Sequence, residues 1–365
     1  MVSIAVSFLV MILAVAVSSG FKTEILRGIS SISGDVQITS SDLNFISEDN
    51  PISASPSFLS TLEGWGSVRE VVPVVYRAGI VRAGDNVHGV LFKGIPGGGD
   101  SLRVSVPSAL AELLDLSVGD RLTSYFIGEK VRTRRFTVGS IYPSVLSAEE
   151  GLLVYAGLED LQRLNGWSSD EVSALEVMLS DGFSSPRVIE AAGENVGMLV
   201  WASEEDGLVA QSAVDKYPRI FSWLELIYSN VLIIIVLMTI VAGFNMISGL
   251  LILLFRNIST IGILKSMGMT DRSISELFLR VSSNLVLKGM AIGNVLAFIL
   301  VLIQGSTHLI GLNPENYFVS FVPVHLPIPG ILAADVVAYI VIMLLLLIPC
   351  LFITRVDPAT TVRTQ

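Results

Sequence analysis

Four stretches of the chain are almost wholly apolar: Val2–Val17, Val231–Phe255, Leu285–Ile303 and Ile331–Ile353. About 20 residues at ~1.5 Å rise cross a ~30 Å hydrocarbon core, so each run predicts a transmembrane helix. Phe21–Gly34 extends the first helix, ending near Gly28 or Gly34. The pattern then changes to short alternating segments. Asp35–Thr39, Val68–Ile80, Val87–Phe92, Leu122–Ile127 and Ala174–Leu179 read as strands, with turn signals at Ala83–Asn86 and Gly97–Asp100. Pro107–Leu114 and Leu158–Leu164 read as short helices, Pro186–Gly193 opens another with proline in its first turn, and Asp42–Ser60 is an irregular excursion.

From Asp206 the sequence turns helical and runs through Tyr217 into the second apolar run, with Pro218 placed to kink the entry. A helix from Ser222 to Phe255 would be ~50 Å long, more than a bilayer needs, and the surplus is expected to form a stalk. The expected fold is a polytopic α-helical membrane protein with four transmembrane helices and a large α+β extracytoplasmic domain between the first and second. Residues 1–19 form the first span. The domain covers 20–223, with a β-rich part at about 30–104, an α/β part at about 105–205 and the stalk at about 206–223. The second span is 224–255, followed by a loop at 256–284, the third span at 285–304, an external loop at 305–330, the fourth span at 331–354 and a tail at 355–365. Val2–Val17 could instead be a secretory signal, but it lacks a basic leading segment, and Ser18–Ser19–Gly20 fits a cleavage site only loosely.

Charge sets the orientation. Arg256, Lys265, Arg272, Arg280 and Lys288 follow the second span, and Arg355 and Arg363 lie in the tail. By the positive-inside rule both segments are cytoplasmic, and with four spans both termini are inside. Residues 20–223 hold 16 basic and 27 acidic residues, a net of −11, whereas the remainder has a net of +1. That balance argues against nucleic-acid binding and against a broad grip on anionic headgroups. The composition agrees with a membrane protein: 52% hydrophobic, 15% charged, mean hydropathy +0.69. The one cysteine, Cys350, lies in the fourth span, so the external domain has no disulfide.

No catalytic constellation can be assembled. His88, His308 and His325 are scattered, and there is no G-x-x-x-x-G-K-[ST] loop to hold a nucleotide, so neither metal nor cofactor is expected on this chain. The informative stretch is Gly243–Leu287. Ile258, Ile261, Ile263, Leu264 and Met267 place an apolar stripe on a short helix, Gly268 ends it, and Thr270–Asp271 or Ser273 can cap the next. Such a helix either rests on lipid or inserts into a partner's groove, and residue physics leaves both open.

Gly243-Phe244-Asn245-Met246-Ile247, followed by Ile261-Gly262-Ile263-Leu264-Lys265-Ser266-Met267-Gly268-Met269-Thr270, resembles the central signature of MacB/FtsX-type ABC transporter permeases. The nearest resemblance is to the lipoprotein-releasing (LolC/LolE-like) permeases. Pro349, Arg355, Asp357-Pro358-Ala359 and Arg363 are similar to the family's closing pattern. Ser19-Gly20-Phe21-Lys22-Thr23-Glu24 and Gly34-Asp35-Val36-Gln37-Ile38 are similar to the end of its first helix and to its first strand. Two departures from the family pattern stand out: Thr260 replaces a frequent carboxylate, and Met1 stands almost in the membrane where family members usually carry a basic segment.

The resemblance implies a non-catalytic inner-membrane subunit paired with a second permease, identical or related, on a dimer of cytoplasmic ATPases that bind ATP and Mg. Ile261, Gly262, Ile263, Leu264, Lys265, Met267 and Gly268 would couple the two. Mechanical transmission would then release lipoproteins to a periplasmic carrier. The alternatives are a MacB-like exporter of peptides or drugs with a periplasmic adaptor, an FtsX-like signalling permease controlling a peptidoglycan hydrolase, or a sensor without an ATPase. Gly289 and Gly293 form a small-xxx-small motif for packing within the chain or across a dimer, and Asn245 and Asn294 are intramembrane amides expected to bond between helices. Outside the membrane, Lys130, Arg132, Arg134 and Arg135 crowd a hairpin turning at Gly128, either as solvated edge charges or as a contact for an acidic partner such as the carrier. Alternation would put Lys130, Arg132 and Arg134 on one face.

Overall fold

The computed structural model describes residues 1–42, 50–84, 86–97, 102–128, 130–142, 152–180, 185–203, 205, 207–313, 317 and 319–350. The tail at 355–365, with its arginines and the Asp357-Pro358-Ala359 motif, and the residue Glu129 lie outside this set. In chain order the elements are α1 (Val2–Ser33), β1 (Val36–Ser40), β2 (Ile52–Ser53), α2 (Leu59–Glu63), β3 (Val68–Ala83), β4 (Asn86–Ile95), β5 (Arg103–Pro107) and α3 (Ser108–Leu114). Then follow β6 (Arg121–Phe126), β7 (Arg132–Tyr142), β8 (Leu153–Gly157), α4 (Leu158–Asn165), β9 (Glu171–Val172), β10 (Ala174–Leu179), α5 (Pro186–Ala202) and β11 (Leu208–Ser212). The chain closes with α6 (Ala213–Lys216), α7 (Pro218–Arg256), α8 (Ile258–Ser266), α9 (Asp271–Thr307), α10 (Ile328–Leu345) and α11 (Leu347–Cys350). Two compact units result: a helical unit of Met1–Thr23, Trp223–Gly311 and Phe321–Gln365, and a sheet domain of Glu24–Ser222 and Leu312–Ser320.

In the helical unit α1, α7, α9 and the Ile328–Cys350 segment are long and apolar enough to cross a membrane. Their shared core holds Ile4, Phe8 and Met11 from α1, Ala242 and Met246 from α7, Val286 from α9, and Ala338 and Ile342 from α10. Leu232, Ile233, Val236, Val295 and Val337 point outward and are more than half exposed, the arrangement expected when the solvent is lipid. Pro218 does not kink α7. It stands at the helix's first position, where its missing N–H has no intrahelical partner to lose. The connection at 256–284 holds the expected short helix, α8, and then the first turns of α9, which Thr270 caps by accepting from the amide of Ser273 at 3.3 Å.

The sheet domain is built on one nine-stranded sheet in the order β11-β1-β10-β3-β4-β8-β5-β7-β6. Strand β3 is long enough to serve twice. Its first half pairs with β10, and its second half pairs with β4 and also with β6, from Ile80↔Tyr125 to Arg82↔Thr123. The β3–β6 pairing closes a ring of six strands around Phe92, Phe126 and Phe136, whose ring centroids lie 5.0 to 6.4 Å apart. Gly79 in β3 leaves room for this packing, since a Cβ there would meet Phe126 at 2.9 Å.

The topology corrects two expectations. The division into a β-rich part at 30–104 and an α/β part at 105–205 does not hold: β1 pairs with β10 and β11, so the first and last strands of the domain are neighbours. The expected helical stalk at 206–223 also fails at its start. Gly207 turns the chain with φ +80°, β11 then joins β1 in register Val36↔Ser212, and only after Ser212 does a short helix form. Edge pairing to β1 outweighs helix propensity here.

Candidate functional site

The connection between α7 and α9 carries the signature residues. Arg256 ends α7, and the Asn257 side chain donates to the Leu253 carbonyl at 2.8 Å. In α8 Ile261 and Gly262 are buried, and Leu264 packs on a cluster that includes Leu250, Leu254, Ile274 and Phe278. Ile263 is 52% exposed and Met267 78%. The expected single apolar stripe is therefore two faces: Ile261 and Leu264, three apart, seat the helix on its own unit, while Ile263 and Met267, four apart, point away. Lys265 Nζ meets Asp271 at 2.7 Å across the turn, and Gly268 takes φ +89°, a conformation that closes the helix without strain only for glycine. This arrangement holds α8 rigidly to the ends of two long helices and offers one small apolar face. The frequent family carboxylate is absent, since the exposed Thr260 occupies its place.

Within the helical unit Gly289 and Gly293 face α1 of the same chain. A Cβ at Gly289 would meet Ile4 at 2.8 Å, and one at Gly293 would meet the Ala5 carbonyl oxygen at 2.5 Å. Asn245 donates to Ser3 Oγ at 2.5 Å, and Asn294 donates to Asp335 Oδ2 at 2.6 Å, so both amides bond between helices.

The basic hairpin lies between β6 and β7, paired from Arg121↔Thr137 to Phe126↔Arg132, with Gly128 in the connection between the two strands. Lys130, Arg134 and Arg135 are exposed. Arg132 is half-buried and donates to the Leu164 carbonyl at the end of α4, where a cation also meets the negative end of the helix dipole. That gives Arg132 an internal role, which separates it from the exposed cations beside it.

A polar cluster that sequence reasoning missed sits inside the sheet domain. Register places Gln37 opposite Glu176 across β1 and β10, and Tyr76 opposite Lys93 across β3 and β4. Lys93 Nζ donates to Glu176 Oε2 at 2.7 Å and to the carbonyls of Ser31 and Ile32 at 3.1 and 2.9 Å, the last turn of α1. Tyr76 donates to Glu176, and its oxygen also lies 2.9 Å from the Ile32 carbonyl. Lys216, at the end of α6, reaches Gln37 Oε1 at 2.5 Å. The cluster thus ties the end of α1 and the segment leading into α7 to the middle of the sheet. The sequence did carry a signal, because Lys93 and Glu176 are the lone carboxylate or ammonium groups within the apolar runs Gly89–Ile95 and Ala174–Leu179.

Burial pushes the Lys93 ammonium down and the Glu176 carboxyl up, toward their neutral forms, and their contact with each other opposes both shifts. Burial also lowers Lys216 to about 8, with Glu176 pulling it back and Lys93 adding to the fall. Above pH 8 the folded chain releases the Lys216 proton, while the unfolded chain holds it up to its ordinary 10.5. The unfolded state then binds more protons, so stability rises with pH from about 8 to 10, at no more than about 1.4 kcal/mol per unit for one group. Beyond pH 10 the raised Tyr76 and Tyr155 hydroxyls act in the opposite sense. Chemical denaturation at pH 8 and 10 is expected to show a smaller rise for Lys216→Met than for the wild type, with an equal rise contradicting the assignment.

The comparisons with known proteins follow this layout. Residues 232–358 match the family model of the FtsX-like permease C-terminal domain, which takes in α8 and the three helices from α7 onward that cross the membrane. The lipoprotein-releasing system transmembrane protein LolE of Haemophilus influenzae is 27% identical over 268 residues, 69% of this chain. That match spans 62% of LolE's own length, less than two thirds. LolC of Neisseria meningitidis serogroup B is 24% identical over 357 residues, 88% of this chain and 82% of that protein. Among solved structures, the periplasmic region of MacB from Actinobacillus actinomycetemcomitans aligns with 53% of this chain and 95% of its own, at a TM-score of 0.34 and 14% identity. Among the described residues four helices are long and apolar enough to span a membrane, residues 232–358 belong to the FtsX-like permease C-terminal family, and the lipoprotein-releasing proteins LolE and LolC are among the proteins to which the chain as a whole is similar.

Proposed function

We propose that this chain is the permease subunit of an inner-membrane transporter that releases lipoproteins to a periplasmic carrier, driven by ATP and Mg held on a partner ATPase dimer. The observation that carries the reading is the similarity to LolE and LolC over most of the chain, together with an α8 that leaves Ile263 and Met267 uncovered. Both termini lie in the cytoplasm and the sheet domain in the periplasm, because Arg256, Lys265, Arg272 and Arg280 cluster around α8. The ATPases grip α8, and their closure is transmitted along α7, a single helix of 39 residues that begins immediately after the Lys216 anchor. A second permease copy, identical or related, completes the transporter, which consumes ATP while this chain performs no chemistry itself. The exposed Lys130, Arg134 and Arg135 suit an acidic face of the carrier.

Reconstitution tests this reading. The chain is purified with its ATPase, placed in proteoliposomes bearing an acylated lipoprotein, and mixed with carrier. Lipoprotein is expected to appear in the soluble fraction with ATP and to stay in the membrane with a non-hydrolysable analogue. ATP hydrolysis without any lipoprotein release would overturn the assignment and move the chain to the exporter or signalling branch.

A further inference from the structure

Asp335 is a carboxyl group within a membrane-spanning segment, and it is only 4% exposed. Asn294 of α9 donates to it, Nδ2 to Oδ2, at 2.6 Å. The other oxygen of each group, Asn294 Oδ1 and Asp335 Oδ1, is buried with no partner among the described residues. Ile12, Phe298, Ile331 and Leu332 line the space beside the pair, and none of them supplies a donor or a cation. The charged residues of α9 fall in its first half, from Asp271 to Lys288, and on α10 the Tyr339 hydroxyl is already shared with Ser283 at 2.8 Å. His325, which precedes α10, meets Ser19 Oγ at 3.1 Å, and α1 carries charge only from Lys22 onward.

An ionised carboxylate offers acceptors only, as does an amide oxygen, so the two orphaned oxygens cannot serve each other. The charge would also stand unpaired among apolar side chains, where the neutral acid costs far less. A carboxylic acid carries one O–H donor. Placed on Oδ1, that single proton cancels the charge and turns one orphaned acceptor into a donor for the other. We propose that the pair holds a resident proton: Asp335 is the neutral acid, its Oδ1–H donates to Asn294 Oδ1, and the closed acid–amide ring clamps α9 to α10. The proton comes from water, and the ring then has one hydrogen bond running each way between the two helices. The clamp belongs to this chain alone and does not depend on which cargo the transporter moves.

The test uses the full chain in nanodiscs at neutral pH. Infrared difference spectra of the wild type against Asp335→Asn should show a carboxylic-acid carbonyl band in the wild type that the variant lacks. An ionised-carboxylate band in its place would overturn the proposal. Hydrogen exchange then reads the clamp. Asparagine at 335 has the same shape and offers the same donor and acceptor, so Asp335→Asn should leave the protection of α9 and α10 within about twofold of the wild type. Asn294→Leu strands the acid and should speed exchange there about tenfold or more, the size of a lost buried hydrogen bond. The infrared result does not depend on that second variant folding. A tenfold change with Asp335→Asn in either direction, or unchanged protection with Asn294→Leu, would overturn the clamp.

Discussion

Lys93→Met is expected to destabilise the sheet domain by about 3–5 kcal/mol, because it strands the buried Glu176 carboxylate without its cation. The pair is almost wholly enclosed, with 2% and 1% side-chain exposure, so solvent screening contributes little. The same change removes the Lys93 ammonium's hydrogen bonds to the Ser31 and Ile32 carbonyls, which tie the last turn of α1 to β4. The double variant Lys93→Met with Glu176→Leu should recover much of the loss, since replacing both members of a buried ion pair by apolar residues is often close to neutral. Hydrogen exchange on the full chain reads this strand by strand. Amides of β3, β4 and β10 should exchange about 100-fold faster or more in the single variant, with the double variant much closer to wild type. Equal protection in the wild type and the single variant would show that the cluster does not hold the sheet together.

The parts of this fold that were legible in the sequence are those with one dominant constraint. A span in lipid must be apolar on every side, so α7 and α10 announce themselves, and β10 is bounded by the same residues in sequence and structure, Ala174–Leu179. The unread strands are short ones whose pairing is decided elsewhere. β5 and β8 hold five residues each and lie between partners distant in sequence, β5 parallel to β7 and β8 parallel to β4. β11, Leu-Val-Ala-Gln-Ser, shows little hydrophobic alternation and exists because β1 offers an edge. The ring closure at β3–β6 has no local signature at all, since it depends on β3 being long enough to be shared.

The candidate site was legible to the level of the segment and not of the side chain. The residues Ile261–Gly268 stand out as an apolar helix with a glycine stop, but period alone does not say which apolar positions the chain keeps for itself. Contacts with Leu254, Ile274 and Phe278 take Ile261 and Leu264 inward. Lys265 reads as one of the cations that follow the second span and as a coupling residue, and its side chain is 11% exposed and bound to Asp271. The buried cluster around Lys93 was hidden because the four strands that carry its Gln37, Tyr76, Lys93 and Glu176 come together only through the sheet register.

Replacing both Ile263 and Met267 by Asp is expected to abolish ATPase binding while leaving the permease folded. Two apolar side chains lost from the centre of a docking groove cost roughly 1.5–3 kcal/mol each, before the penalty of burying two carboxylates, so affinity should fall by about 100-fold or more. Neither residue belongs to the core, and the exchange leaves the Lys265–Asp271 pair and the Ile261 and Leu264 contacts in place. Leu264→Asp should behave differently, unseating α8 and destabilising the helical unit, which distinguishes a docking face from a packing face. The deciding measurement is affinity purification of the full chain from native membranes in mild detergent, with mass spectrometry of everything retained. The wild type should bring down a cytoplasmic ABC ATPase, and the Ile263→Asp, Met267→Asp variant should elute as the same monodisperse permease without it. Retention of the ATPase by that variant would contradict the role of α8, and a wild type that retains no ATPase would contradict the transporter itself.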